Sequence, residues 1–239
     1  MTATLDASVV ISLASAATAV TALGLTIYQQ IWRNPRLTLS LALDPQQGDL
    51  VTLAPVVRPG EAVEVQERDT TEHWARLRVL NAKRKHSARK VEVLYVGRRT
   101  NGDLCIDPRP LRYTATSENP NHSDILAMGA DKPALRATVP PGVFRHVDFL
   151  AASISPSVMT RVRGKPRLAV WPGPGIDLEE GSHEIYLAVA AVDTDAVFYR
   201  IDVNISHGWT DDPVEWWSSR VAFSPLERLS AREQESLLG

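Results

Sequence analysis

The sequence predicts an all-β domain, a β-sandwich, preceded by one N-terminal transmembrane helix. Residues Ala7 to Trp32 carry no charged side chain. After residue 33, about eight short segments alternate apolar and polar residues with a period of two. Pro, Gly, Asn and Asp punctuate these segments, and no helical period of comparable length follows.

The helix comes first. Ala7 to Tyr28 is long enough to cross about 30 Å of hydrocarbon. Ala, Leu, Val and Ile dominate it, no Pro interrupts, and Gly24 is its one weak helix former. A secretory signal peptide would need a basic n-region and a small-residue cleavage site. Instead MTATLD precedes the run and Tyr28-Gln29-Gln30-Ile31-Trp32 follows it. A core helix of a soluble protein is the other competing reading. Arg33 and Arg36 follow the segment and no basic residue precedes it, so the positive-inside rule puts the N-terminus out and the large domain in the cytoplasm. Tyr28 and Trp32 occupy the headgroup level expected of an aromatic belt. The expected location is the inner cell membrane, with the lipid bilayer as partner. Ser8, Ser12, Ser15, Ala19, Ala22 and Thr26 follow one another at spacings of 4, 3, 4, 3 and 4, which makes one stripe of small residues. Such a stripe is a seam for homo-oligomers, or it is the plain result of a segment rich in Ala, Ser and Thr.

Asn34-Pro35 ends the helix. Leu37 to Leu43 alternates as a half-buried strand. Residues 44 to 73 are acidic and contain prolines, and read as a long loop with one short strand at 62–65. Trp74 to Val79 alternates again, with Trp74, Arg76 and Arg78 on one parity and Leu77 and Val79 on the other. Val91 to Val96 is the next strand. Residues 100–135 read as loops with short strands. Leu135 to Val139 and Phe144 to Leu150 flank the Pro140-Pro141-Gly142 turn, and Arg167 to Trp171 runs into Pro172-Gly173-Pro174-Gly175. Glu184 to Val192, a turn at 193–195, and the alternating Val197, Tyr199, Ile201, Val203 and Ile205 read as a hairpin. Trp216 to Phe223 is the last expected strand. Residues 225–239 are a tail or a short helix opened by Ser224-Pro225. The chain thus divides into an anchor with its flanks at 1–36, a sandwich at 37–224 and a tail at 225–239.

Leu77-Arg-Val-Leu-Asn81 followed by Ala88-Arg-Lys-Val-Glu-Val93 resembles a pattern of bacterial immunoglobulin-like domains. In these, a strand ends in an Asn at a turn, an Ala packs inward and a Val-x-Val strand follows. The resemblance implies an immunoglobulin-like β-sandwich on a bacterial single-pass membrane protein, and it implies no activity.

The composition is that of an ordinary globular protein, with 23% charged and 44% hydrophobic residues. The net charge of −2 gives no general attraction to nucleic acid. Cys105 is the only cysteine, so no intramolecular disulfide forms. No phosphate-binding loop or nucleophile-elbow motif occurs. His146-x-Asp148 and His122-x-Asp124 each offer two side chains on one strand face, too few for a metal. No catalytic residue, metal or cofactor is therefore expected.

One cluster points to a ligand. Between Trp74 and Thr100 lie nine Lys and Arg against one acid, Glu92. Arg76, Arg78, Lys83, Arg84, Lys85, Arg89 and Lys90 read as a basic hairpin that attracts phosphate groups, whether of anionic lipid or of a nucleotide. A solvated turn neutralised by the acidic loop explains the same charges. The sequence thus predicts a membrane-anchored, non-enzymatic binding module. The alternative is a ligand-gated effector of the antiphage kind, which senses a nucleotide or other phosphate ligand through the basic hairpin and assembles through its helix.

Overall fold

The computed structural model describes residues 34–53, 71–83, 85–114, 135–154, 165–172, 175–192, 194–206 and 212–238, with residues 21, 208 and 210 besides. Apart from Thr21 and residues 34–36, the expected transmembrane segment and its flanks lie outside the described residues, as does the short strand expected at 62–65. Among the described residues no helix is long and apolar enough to cross a membrane.

Among the described residues, two antiparallel sheets share one core. The first has six strands: β1 (Leu37–Ser40), β2 (Leu50–Leu53), β3 (Thr71–Asn81), β7 (Phe144–Ile154), β8 (Pro166–Leu168) and β9 (Ile176–Asp177). The second has seven: β4 (Ala88–Thr100), β5 (Asp103–Pro110), β6 (Ala137–Val139), β10 (Gly181–Ala191), β11 (Thr194–Ile205), β12 (Val221–Phe223) and β13 (Glu227–Arg228). Leu77, Val79, Val147 and Leu150 from the first sheet meet Val91, Val93, Leu187 and Ile201 from the second in one buried cluster. Period-two alternation produces this result, because alternate residues of each strand point to the same face. In β11 the alternating set Tyr199, Ile201, Val203 and Ile205 is the buried one.

β1 and β2 lie along the same edge of β3. Leu37 pairs with Asn81, and Leu50 with Ala75. Between them the chain swings out through a 3-10 turn at Pro45–Gln47 that Asp44 caps. A second irregularity follows β5. Leu111 N still donates to Val93 O at 2.8 Å, but Asp148 N donates to Arg112 O at 2.9 Å and Thr114 N to His146 O at 3.1 Å. The chain therefore leaves the second sheet and continues along the free edge of β7 in the first.

Three expectations are corrected. First, Lys83 to Lys90 is not a hairpin tip. β3 pairs with β1, β2 and β7, whereas β4 pairs with β5, β6 and β10, so the connection crosses from one sheet to the other. The signal for a hairpin was proximity in sequence, which a crossing connection satisfies equally well. Second, Trp216 belongs to a helix, α1 (Pro213–Ser219), and only Val221–Phe223 is strand. Asp212 caps the helix, accepting from Val214 N at 2.8 Å and Glu215 N at 3.2 Å, and Pro213 follows at the first helical position. Third, the terminal helix α2 (Ala231–Leu238) does not open at Ser224-Pro225. Ser224 Oγ accepts from Asp202 N on β11 instead.

α2 starts with a capping box. The Glu233 carboxylate accepts from Ser230 N at 2.8 Å and Ser230 Oγ at 2.7 Å, while Glu233 N donates back to Ser230 Oγ at 3.4 Å. Leu229 and Leu237 then pack on Val96, Tyr186 and Ala188, on the outer face of the second sheet. Ser230→Ala is expected to speed amide exchange across 231–238 by a factor of about five while leaving β10 and β11 protected. Unchanged exchange there would show that Leu237 packing alone sets the helix.

Candidate functional site

The structure divides the predicted basic cluster into two groups. Arg76 and Arg78 lie on the outer face of the first sheet, opposite in parity to Leu77 and Val79. Instead of facing water they enter a belt of charges. Arg76 Nε donates to Asp148 Oδ1 at 3.2 Å. Asp148 also accepts from Arg112 Nε at 3.2 Å and Thr114 Oγ1 at 2.7 Å. Arg78 grips Asp49 through Nε at 2.6 Å and Nη2 at 2.5 Å. The excursion between β1 and β2 carries Asp49 over the sheet, and its side chain is fully buried.

His146, opposite Arg78 on β7, donates from Nε2 to Asp49 Oδ1 at 3.2 Å. Burial holds its ring below the ordinary histidine value, outweighing the pull of Asp49. At neutral pH the ring is therefore uncharged, and its bond to Asp49 is a hydrogen bond rather than an ion pair. The belt continues past Trp74, whose ring lies 5.6 Å from the Arg112 guanidinium and whose Nε1 donates to Glu72 at 3.1 Å. Both buried carboxylates are already held by guanidinium groups. The belt therefore fastens the excursion and the 112–114 crossing onto the sheet. Its acceptors Asp49 and Asp148 lie 29 and 72 residues from their arginines. The strand-parity pattern marked the arginines but could not name such distant partners.

The second group stays at the surface. Lys83, Arg89 and Lys90 are exposed and Lys85 is half-buried, while Arg84 lies outside the described residues. Asn81 sets the position of this connection. It is fully buried, and its amide donates to His86 O at 2.7 Å and Val139 O at 3.0 Å. Its carbonyl oxygen accepts from Arg36 N at 3.2 Å, and Ala82 N donates to Arg36 O at 3.0 Å. Arg36, the last residue of the expected membrane flank, is thus tied directly to the start of the basic connection. Arg98 and Arg99 stand at the far end of β4, where Arg98 donates to Asp177 O and Arg99 pairs with Glu184 at 2.7 Å. They do not flank Lys83 to Lys90. The membrane-interface residues Tyr28, Trp32 and Arg33 and the stripe Ser8, Ser12, Ser15, Ala19, Ala22 and Thr26 lie outside the described residues.

A shallow pocket of about 200 Å³ lies beneath α2, lined by Arg99, Tyr186, Arg200 and Glu233 among others. Glu184 holds Arg99 and Arg200, and Glu227 also holds Arg200, so neither arginine is left unpaired for an anion. Two buried histidines serve the fold. His73 bridges Thr52 Oγ1 and Thr210 O, and His183 bridges Thr100 Oγ1 and Glu179 O. Among the described residues no three His, Cys, Asp or Glu side chains are grouped as a metal site would need. No family model, curated protein or solved structure matches this chain.

Proposed function

We propose that this chain is a single-pass protein of the inner membrane whose immunoglobulin-like sandwich is a cytoplasmic binding module with no catalytic role. The observation that carries the reading is the hydrogen-bonded union of Arg36 with Asn81 and Ala82. It joins Arg36, four residues beyond the uncharged stretch, to the connection bearing Lys83, Lys85, Arg89 and Lys90. An anchor at 7–32 would therefore hold Lys83 and Lys90 beside lipid phosphates, where an exposed cation contributes roughly 1 kcal/mol. The absence of catalysis rests on the site chemistry: the buried His73 and His183 rings are engaged at both nitrogens, and Asp49 and Asp148 are engaged by arginines.

The small-residue stripe favours a second reading, a ligand-gated effector that assembles through its helices when a phosphate ligand reaches the basic connection. The two readings part on toxicity. Overexpression of a gated effector with its ligand permeabilises cells, whereas a passive module does not.

The anchor itself is tested by carbonate extraction and by reporters fused after Gly239. The chain is expected to stay in the carbonate-washed pellet. Its fusion to alkaline phosphatase is expected to be inactive and its fusion to a fluorescent protein bright. Release into the supernatant would overturn the anchor, and active phosphatase would reverse the topology.

A further inference from the structure

The two ends of the sandwich differ in chemistry. One end gathers the start of β1, the β3–β4 connection, the β6–β7 turn and the β10–β11 turn. In the segments 34–40, 79–91 and 137–145, which build most of it, there is no Asp or Glu. The same segments carry Arg36, Lys83, Lys85, Arg89, Lys90 and Arg145. Among the described residues near this end, the acids are Asp195 at the start of β11 and Glu92 on β4, which pairs with Arg136 at 3.4 Å. The opposite end gathers the β4–β5 turn, the approach to β10 and the approach to α1, and it holds Asp103, Asp177, Glu179, Glu180, Asp212 and Glu215 against Arg98, Arg99, Lys165 and Arg220.

The basic end is also where apolar side chains face water. Leu80 (37% exposed), Val143 (41%), Phe144 (36%) and Val192 (65%) lie here, four of the seven large apolar side chains exposed among the described residues. Leu80 and Phe144 are register partners across β3 and β7, with Val143 adjoining. Arg78 stands 5.0 Å from the Phe144 ring centre and the His146 ring meets it edge-on at 5.2 Å, so the ring is held in place without being covered.

Apolar tips inside a fringe of lysines suit an anionic bilayer surface, where the lysines meet phosphates and the apolar groups meet the acyl boundary. A soluble nucleotide would use the cations but not the apolar tips. The chain path favours the same partner. From Trp32 to Arg36 an extended chain spans at most roughly 15 Å, so an anchor ending at Trp32 delivers this end to the headgroups.

We infer that the sandwich stands end-on against an anionic leaflet. Leu80, Val143, Phe144 and Val192 sit at headgroup depth, Lys83 and Lys90 contact lipid phosphates, and the acidic end points away. The inference rests on the anchor proposed above, and its test separates the two. Cys105 is the sole cysteine and is exposed on β5, clear of the basic end. A fluorophore on Cys105 reports the distance of that region from the bilayer. The same fluorophore on Val143→Cys in a Cys105→Ser background reports the basic end.

Full chain is reconstituted into phosphatidylcholine vesicles with or without phosphatidylglycerol, with headgroup-nitroxide lipid as quencher. In the anionic vesicles the Val143 label is expected to be quenched several-fold more than the Cys105 label. Lys83→Glu with Lys90→Glu is expected to bring quenching of the Val143 label down to the level of the Cys105 label, with the circular dichroism of the folded domain retained. Equal quenching at both positions, or quenching indifferent to phosphatidylglycerol and to the charge reversal, overturns the docking. Carbonate washing of the same vesicles reads the anchor separately. A retained chain with equal quenching refutes the docking alone. A released chain that shows the Val143 preference before washing refutes the anchor alone.

Discussion

Asp148→Ala is expected to destabilise the domain by about 3–5 kcal/mol. Asp148 is 5% exposed and Arg76 6%, so the removed carboxylate leaves a guanidinium buried with no counter-charge. Arg112 and Thr114 lose their acceptor in the same substitution, which loosens the segment that crosses between the sheets. Desolvation makes the effect large, since an exposed pair at the same distances would contribute about 1 kcal/mol or less. Asp148→Asn, which keeps the shape and part of the hydrogen bonding, is expected to cost less. The double replacement of Arg76 and Asp148 by Leu is expected to cost less than Asp148→Ala, because it leaves no orphaned charge. Urea unfolding of the full chain in mild detergent, followed by tryptophan emission, measures all three. A loss below about 1 kcal/mol for Asp148→Ala would mean that water reaches Arg76 and that the belt is not desolvated.

Trp217→Ala is expected to cost about 3–5 kcal/mol, the range for deleting a large buried aromatic side chain. Trp216 and Trp217 are each 1% exposed, although they are neighbours in sequence. A strand would send them to opposite faces, whereas the helical turn of α1 lets both enter the core. Their rings meet edge to face with centroids 4.5 Å apart, and Trp217 lies 6.0 Å from Phe223. Among the described residues the Trp217 indole nitrogen has no hydrogen-bond partner. Trp217→Phe therefore loses volume only, and it is expected to cost less than half as much. The same urea titration reads both variants. A cost below about 1.5 kcal/mol for Trp217→Ala would show that α1 contributes little to the core.

These two sites also mark what sequence pattern can and cannot convey. β10 and β11 were legible because one face of each is buried along most of its length, so the alternation is written into consecutive residues. The helix at 213–219 was obscured by its two tryptophans, which favour strands, although Asp212-Pro213 is a readable cap. The strand character of 74–79 was legible, but not the fate of its arginines. Burial of Arg76 and Arg78 depends on Asp148 and Asp49, which only the three-dimensional pairing brings near. The hairpin reading of 83–90 failed for a related reason: alternation specifies faces, and it does not say in which sheet the next strand lies. Asn81 and Ala88, at the two ends of that connection, are both buried.

The broken outline of the two sheets has a consequence for self-association. A long straight margin of unpaired N–H and C=O groups is a template for pairing with another copy. Here β1 and β2 divide one margin of the first sheet between them, and the other margin tapers to the two residues of β9. On the second sheet β12 and β13 divide one margin, and β6 and β5 the other. β5, the longest of these pieces, carries Pro108 and Pro110 and meets β4 through a register shift at Tyr95/Gly97. A Cβ on Gly97 would lie 2.5 Å from the Cys105 carbonyl oxygen, so that kink demands glycine. Proline and irregular pairing on an outer strand both discourage addition of a further strand. Among the described residues the sheet margins are thereby guarded against edge-to-edge polymerisation even where many copies crowd together.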